Sequence, residues 1–215
     1  MRLSRPRILA AAMDLIERDG GDALSMPALA ADLGCAVMTL YAHVPSKAAL
    51  LDAVADAVVA SVEYTPAPDA PWPEQIRAQA TAFRQAARAR LRCTMITLSR
   101  PPSSLARLRP TEHALATLRG AGFSPADSVR IVRTLAAYTL GSLRPEADAA
   151  PAPGAPASGR GDSGADRRPR LTPAAFPQLT SLATELNQTD ADGDYEFGLD
   201  LFLHAAAALL SAARS

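Results

Sequence analysis

An all-α protein is what this sequence predicts, on three observations. Apolar residues recur at three- and four-residue spacing along most of the chain. The core-forming residues are mainly Ala, Leu, Val and Ile, with only 5% aromatics, a composition that favours helices. Residues that start and stop helices bracket the periodic stretches. The 215 residues have room for one large or two small domains with a real core. We expect a three-helix N-terminal headpiece over 1-62 and an all-helical C-terminal domain over 72-215, with 144-172 as a flexible loop.

The first helix starts at the Ser4 cap with Pro6 in its first turn, places Ile8, Ala12, Leu15 and Ile16 on one face, and stops at Gly20-Gly21. Ser25 caps a second helix, in which Ala30 permits close packing and Leu33 closes the inner face before Gly34. A short third helix runs from about Val37 to His43, with Leu40 inward and Pro45 as its stop. Ser46 caps a connecting helix to about Val62, striped by Leu50, Val54 and Val58. Pro66, Pro68, Pro71 and Pro73 then mark a break.

From Pro73 to about Cys93 one long helix is expected, with Ile76, Ala80, Phe83 and Ala87 inward and Arg77, Arg84, Arg88 and Arg92 as its solvated face. Thr111 to Arg119 follows, closed by Gly120-Ala121-Gly122, and Ser124-Pro125 opens the helix carrying Val129, Leu135, Tyr138 and Thr139. Residues 144-172 are rich in Ala, Pro and Gly without apolar periodicity. The Arg160-Gly161-Asp162 tripeptide within them is read as chance. Two more helices span Pro173 to about Asn187 and Asp194 to Ala213. Between them Asp190, Asp192 and Asp194 mimic a calcium loop, but its sixth position is not glycine and its twelfth is Leu201, so an acidic helix cap is the better reading.

Leu29 to Lys47, LAADLGCAVMTLYAHVPSK, is the most informative stretch. Two short helices about a Gly turn form a helix-turn-helix, and the outer face of the second would enter a DNA major groove. Val37, Met38, Thr39, Tyr41 and His43 lie on or near that face. Lys47, the only lysine, stands at a helix start suited to phosphate. With Ser25 and Met26 at the start of the first motif helix, these residues form the candidate DNA-contact set. Val37 and Met38 would touch bases through apolar contacts, thymine methyls above all, with Thr39 and His43 on phosphates. A broad basic field plays no part. Formal net charge is zero, and the acids outnumber the bases through Val62.

Leu40-Tyr41-Ala42-His43-Val44 followed by Lys47 resembles the TetR family of bacterial transcriptional repressors, whose helix-turn-helix ends in a similar stretch. Further pieces resemble the tetracycline-repressor type of C-terminal domain: Trp72, Arg100-Pro101, Ala121-Gly122-Phe123-Ser124, Tyr138-Thr139-Leu140-Gly141 and Phe197-Gly198-Leu199-Asp200. The resemblance implies an all-helical domain for ligand binding and dimerisation, its dimer helices at about Pro125 to Leu143 and Asp194 to Ala213. It also implies a pocket with Phe83, Gln79 and Arg100-Pro101 at matching positions. Where the family's tetracycline binders place a metal-coordinating His this chain has Ile96, and an expected acid falls at Pro145, so neither a metal nor another cofactor is expected. Gln79, Phe83, Met95, Ile96, Arg100 and Tyr138 are the candidate ligand set. The apolar ones among them suit ordinary core equally well.

Cys35 and Cys93 lie in separate parts of the chain without metal-ligand spacing, and are read as reduced thiols of a cytoplasmic protein. No signal peptide or membrane-length apolar run is seen. His43, His113 and His204 fall in separate segments, with no nucleophile elbow or phosphate loop, so no enzyme is expected. The reading is a homodimeric, ligand-responsive repressor that binds a palindromic operator and responds to a small hydrophobic organic effector. The alternative is a helical dimeric module that binds a ligand or protein without operator activity.

Overall fold

A computed structural model describes residues 3–64, 67, 69–98, 104–144, 173–188 and 190–213, and among these there is no strand. The headpiece is built from α1 (Arg5–Asp19), α2 (Met26–Leu33) and α3 (Val37–Tyr41), with α4 (Lys47–Ala60) leading out of it. Its ends are set locally. Ser25 Oγ accepts the Ala28 N–H at 3.1 Å and Ser46 Oγ that of Ala49 at 3.0 Å, each satisfying an amide the helix start leaves without a partner. Gly34 closes α2 in the left-handed region (φ 64°), which lets the Cys35 N–H reach the Ala30 carbonyl at 3.0 Å. Ile8, Ile16, Leu24, Leu29, Leu40 and Leu50 are essentially sealed from solvent in the core this makes.

The remaining helices are α5 (Trp72–Ala89), α6 (Leu91–Leu98), α7 (Arg109–Ala121), α8 (Pro125–Ser142), the short α9 (Pro177–Ser181) and α10 (Ala183–Asn187), and α11 (Ala191–Ala212). A second core gathers Ile76, Leu118, Ile131, Leu135, Tyr195, Leu199 and Leu203 from α5, α7, α8 and α11. Trp72 packs edge-on to Phe123 with ring centroids 5.0 Å apart, tying the start of α5 to the α7–α8 corner.

The expected long helix to Cys93 is two helices. The chain breaks at Arg90 (φ −133°, ψ 58°) although no Gly or Pro stands there. Partners distant in sequence make the break. Glu17 of α1 accepts the N–H groups of Cys93 at 2.9 Å and Arg92 at 3.3 Å, and so caps the start of α6. Arg92 in turn donates to the Glu17 and Arg18 carbonyls at the end of α1, at 2.8 and 3.0 Å. Arg90 pairs with Asp14 at 2.9 Å, and Thr94 Oγ1 donates to the Ala87 carbonyl exposed by the break. As a result α6 packs on α1 and α4, and Cys93 joins the headpiece core that Cys35 flanks. Burial beside Glu17 pushes the Cys93 thiol far above its ordinary value.

The solvated arginine face also needs correction. Arg84 is only 5% exposed: it bonds Asp192 Oδ1 at 2.5 Å and the Ala191 carbonyl at 3.0 Å, and lies 4.6 Å from the centre of the Tyr195 ring. Arg92 faces α1 as described. Arg77 pairs with Glu196 and Asp200, and exposed Arg88 shares Asp192. Asp190 caps α11 by accepting the Gly193 N–H at 2.9 Å, so that helix begins three residues before the expected start. The expected helix from Pro173 to Asn187 is interrupted at Leu182. Apart from Arg144, the expected loop over 144-172, with its Arg160-Gly161-Asp162, lies outside the described residues, as do residues 214–215.

Candidate DNA-contact surface and ligand cavity

Anchored by Leu40, which has no exposed surface, α3 turns its other side outward. Met38 is 77% exposed and Tyr41 42%, and Thr39, His43 and Lys47 are exposed beside them. Val37 is half-buried, packed against the headpiece core at the start of α3. Two members of the candidate set stand elsewhere. Met26 is a core residue, 4% exposed, because the first position of α2 faces α1. Ser25 spends its hydroxyl on the α2 cap. Lys47 is the first residue of α4, next to the Ser46 cap.

A cavity of about 320 Å³ opens between the headpiece helix and the second core. One wall is the end of α4 and the chain after it, Val59, Ala60, Val62 and Tyr64. Gln79 and Phe83, one turn apart on α5, form the second. The third is Ala106, Arg109, Pro110 and His113, from the turn before α7 and its first turns. Gln79 is loosely held, its amide nitrogen 3.5 Å from the Tyr64 hydroxyl and 3.4 Å from Thr117 Oγ1. These are long bonds, which a better acceptor can displace.

A family model described as "Bacterial regulatory proteins, tetR family" matches residues 8–54, and one described as "Tetracyclin repressor-like, C-terminal domain" matches 65–209. The chain belongs to the TetR family. The tetracycline repressor protein class A from transposon 1721 of Escherichia coli is 29% identical over 96% of this chain and 91% of its own length. An HTH-type transcriptional regulator of Saccharopolyspora erythraea is 32% identical over 67% of this chain and 61% of its own. Among solved structures, apo ActR from Streptomyces coelicolor superposes with a TM-score of 0.77 at 26% identity, covering 99% of both chains. A possible TetR family regulator from the same organism gives 0.80 at 28%, over 96% of this chain and 100% of its own. This TetR-family chain is therefore a DNA-binding transcriptional regulator with a C-terminal ligand-binding domain, and its family is one of regulators, not enzymes.

Of the TetR-type ligand positions read from the sequence, the cavity brings together Gln79 and Phe83 only. Arg100 lies outside the described residues. Ile96 points to the headpiece, packed so close to Gly21 that a Cβ there would collide with it, because the break at Arg90 rotates α6 toward α1. Met95, on the same helix, is half-buried and does not line the cavity. Tyr138 is a joint between α8 and α11: its hydroxyl donates to the Tyr195 carbonyl at 2.8 Å and its ring stacks on Tyr195. Gly198 leaves room for that hydroxyl, which a Cβ would strike. Burial raises the value of the Tyr138 phenol. Sequence reasoning missed Tyr64, Arg109 and His113. The i, i+4 spacing of the last two was visible, but nothing local shows that this face of α7 meets Phe83. Among the described residues no group of three or more His, Cys, Asp or Glu is placed to hold a metal, and no helix is long and apolar enough to cross a membrane.

Proposed function

We propose that this regulator binds a palindromic operator as a homodimer, with α3 in the major groove, and leaves it when a small organic effector occupies the cavity. The observation that carries this reading is the shared wall: Val59 and Ala60 end the helix whose first residue is Lys47. A ligand seated on Phe83 therefore touches the lever that holds the headpiece. Release follows if the ligand binds better when that lever is displaced. Two structural relatives, ActR from Streptomyces coelicolor and TetR-Q116A from Acinetobacter baumannii, are known in complex with actinorhodin and with minocycline respectively, a precedent for a small-molecule occupant.

Dimerisation is supported by a row of exposed apolar residues on α11, Phe197, Leu201 and Leu209, with Val129 on α8. They lie at helical spacing, as a two-helix face meeting its own copy requires. DNA contact falls to Met38, Thr39, Tyr41, His43 and Lys47, with Val37 at the edge. The protein acts in the cytoplasm, where its operator is. No divalent cation takes part in effector binding, since Ile96 stands where tetracycline binders hold a metal ligand. The test is fluorescence anisotropy of a labelled duplex from the DNA flanking its own gene, followed by a compound screen for release in the presence of EDTA. Saturable, sequence-dependent binding with one dimer per site is expected. Binding indifferent to sequence would refute operator recognition, and release only with magnesium would refute the cation-free effector.

A further inference from the structure

We infer that the cavity is built for an anionic organic ligand, whose negative group rests on Arg109 and His113 while its apolar body lies against Phe83. This rests on the reading of the cavity as the effector site and adds the charge of its occupant. Arg109 and His113 are one helical turn apart on the same face of α7, both exposed and both lining the cavity. Among the described residues no Asp or Glu lines it.

Lining a cavity while unpaired is the decisive point, since exposed Arg5 and Arg133 also lack a carboxylate partner among the described residues. Arg18, Arg77, Arg84, Arg88, Arg90 and Arg130 each have a carboxylate partner within 4 Å. Arg109 has no such partner among the described residues, and the His113 ring makes no hydrogen bond there. Two cationic or proton-donating side chains thus converge on a cavity that supplies no anion of its own. A guanidinium offers a fork of donors that matches a carboxylate, sulfonate or phenolate oxygen. Gln79 and the Tyr64 hydroxyl, loosely bonded to each other, add donors deeper in. A cationic ligand would face Arg109 with no carboxylate to pair with. A neutral one would leave the guanidinium unused.

Two fluorescent probes that share an aromatic body and differ in charge test this on the full-length protein: anilinonaphthalenesulfonate, which carries a sulfonate, and phenylnaphthylamine, which lacks it. Arg109→Gln should weaken the sulfonate probe roughly tenfold, the loss of one charge-assisted contact, and leave the neutral probe unchanged. Arg109→Lys should recover part of that loss. Phe83→Ala should weaken both. Because Arg109 is exposed, its variants should melt like the parent, which separates lost binding from lost folding. If Phe83→Ala weakens both probes but Arg109→Gln affects them equally or not at all, the charge preference is wrong and the cavity stands. If Phe83→Ala changes neither, the cavity is not the binding site and both readings fall.

Discussion

In the headpiece every buried side chain is apolar, from Ile8 to Val58, whereas the helices after residue 70 bury Arg84, Thr94, Ser128 and Thr139 among their Leu, Ile and Ala. The polar groups that shape the headpiece are caps acting over three residues, Ser25 on Ala28 and Ser46 on Ala49. The C-terminal part has such local bonds too, Ser128 to Ser124 and Asp190 to Gly193, but one buried group there reaches much further. Arg84 bonds residues 58 and 108 positions away. The two regions meet through contacts of the second kind, with Glu17 and Arg92 each capping the other's helix. A core of apolar residues with local caps tolerates no guest and holds one shape, which suits a rigid DNA-reading unit. The second core is itself apolar, but the Arg84–Asp192 pair beside it is a discrete partnership that can be exchanged, which suits a unit that must respond to a ligand.

The largest effect should come from breaking the apolar core. Leu40→Ala should cost about 3 kcal/mol of stability, read by urea unfolding, and abolish DNA binding, because α3 loses its anchor. A loss below about 1 kcal/mol would show that this core re-packs, against the tight packing inferred for it.

Next in size is the buried arginine. Arg84→Ala should cost about 2 kcal/mol by leaving the Tyr195 ring and the start of α11 unsupported. Arg84, and after it Arg88, hold the Asp192 carboxyl below its ordinary value of 3.8. A depressed folded-state value adds stability above the unfolded value and loses it as the pH falls through the folded one. Asp192→Asn should therefore lower the melting temperature most near neutrality, with the difference from the parent shrinking below about pH 4. An equal difference at all pH values would remove the ion pair from the account.

Smaller again is the joint between the regions. Glu17→Ala should cost about 1 kcal/mol, as for loss of a helix cap, and speed hydrogen exchange at the Cys93 amide above its neighbours in α5. Uniform exchange along α5 and α6 would mean that the two behave as one helix. The smallest change in stability belongs to Lys47→Ala, within about 0.5 kcal/mol of the parent. It should still lower the slope of log affinity against log salt by about one unit. An unchanged slope would remove Lys47 from the DNA interface.

What the sequence determined by itself is what acts within a turn or two of helix. The Ser caps, the Gly34 and Gly122 stops and the inward register of Leu40 and Leu50 are short-range consequences of side-chain chemistry and helical period, so the helix-turn-helix could be read directly. Gln79 and Phe83 shared a face for the same reason. Tertiary structure alone decided the rest. The break at Arg90 comes from Glu17, some seventy residues earlier, and the burial of Arg84 from Asp192, more than a hundred later. An arginine opposite an apolar stripe looks the same whether it will meet water or a carboxylate on another helix. Arg109 and His113 become neighbours of Phe83 only once α7 has packed on α5, because a cavity is a property of the space between helices and no single helix carries it.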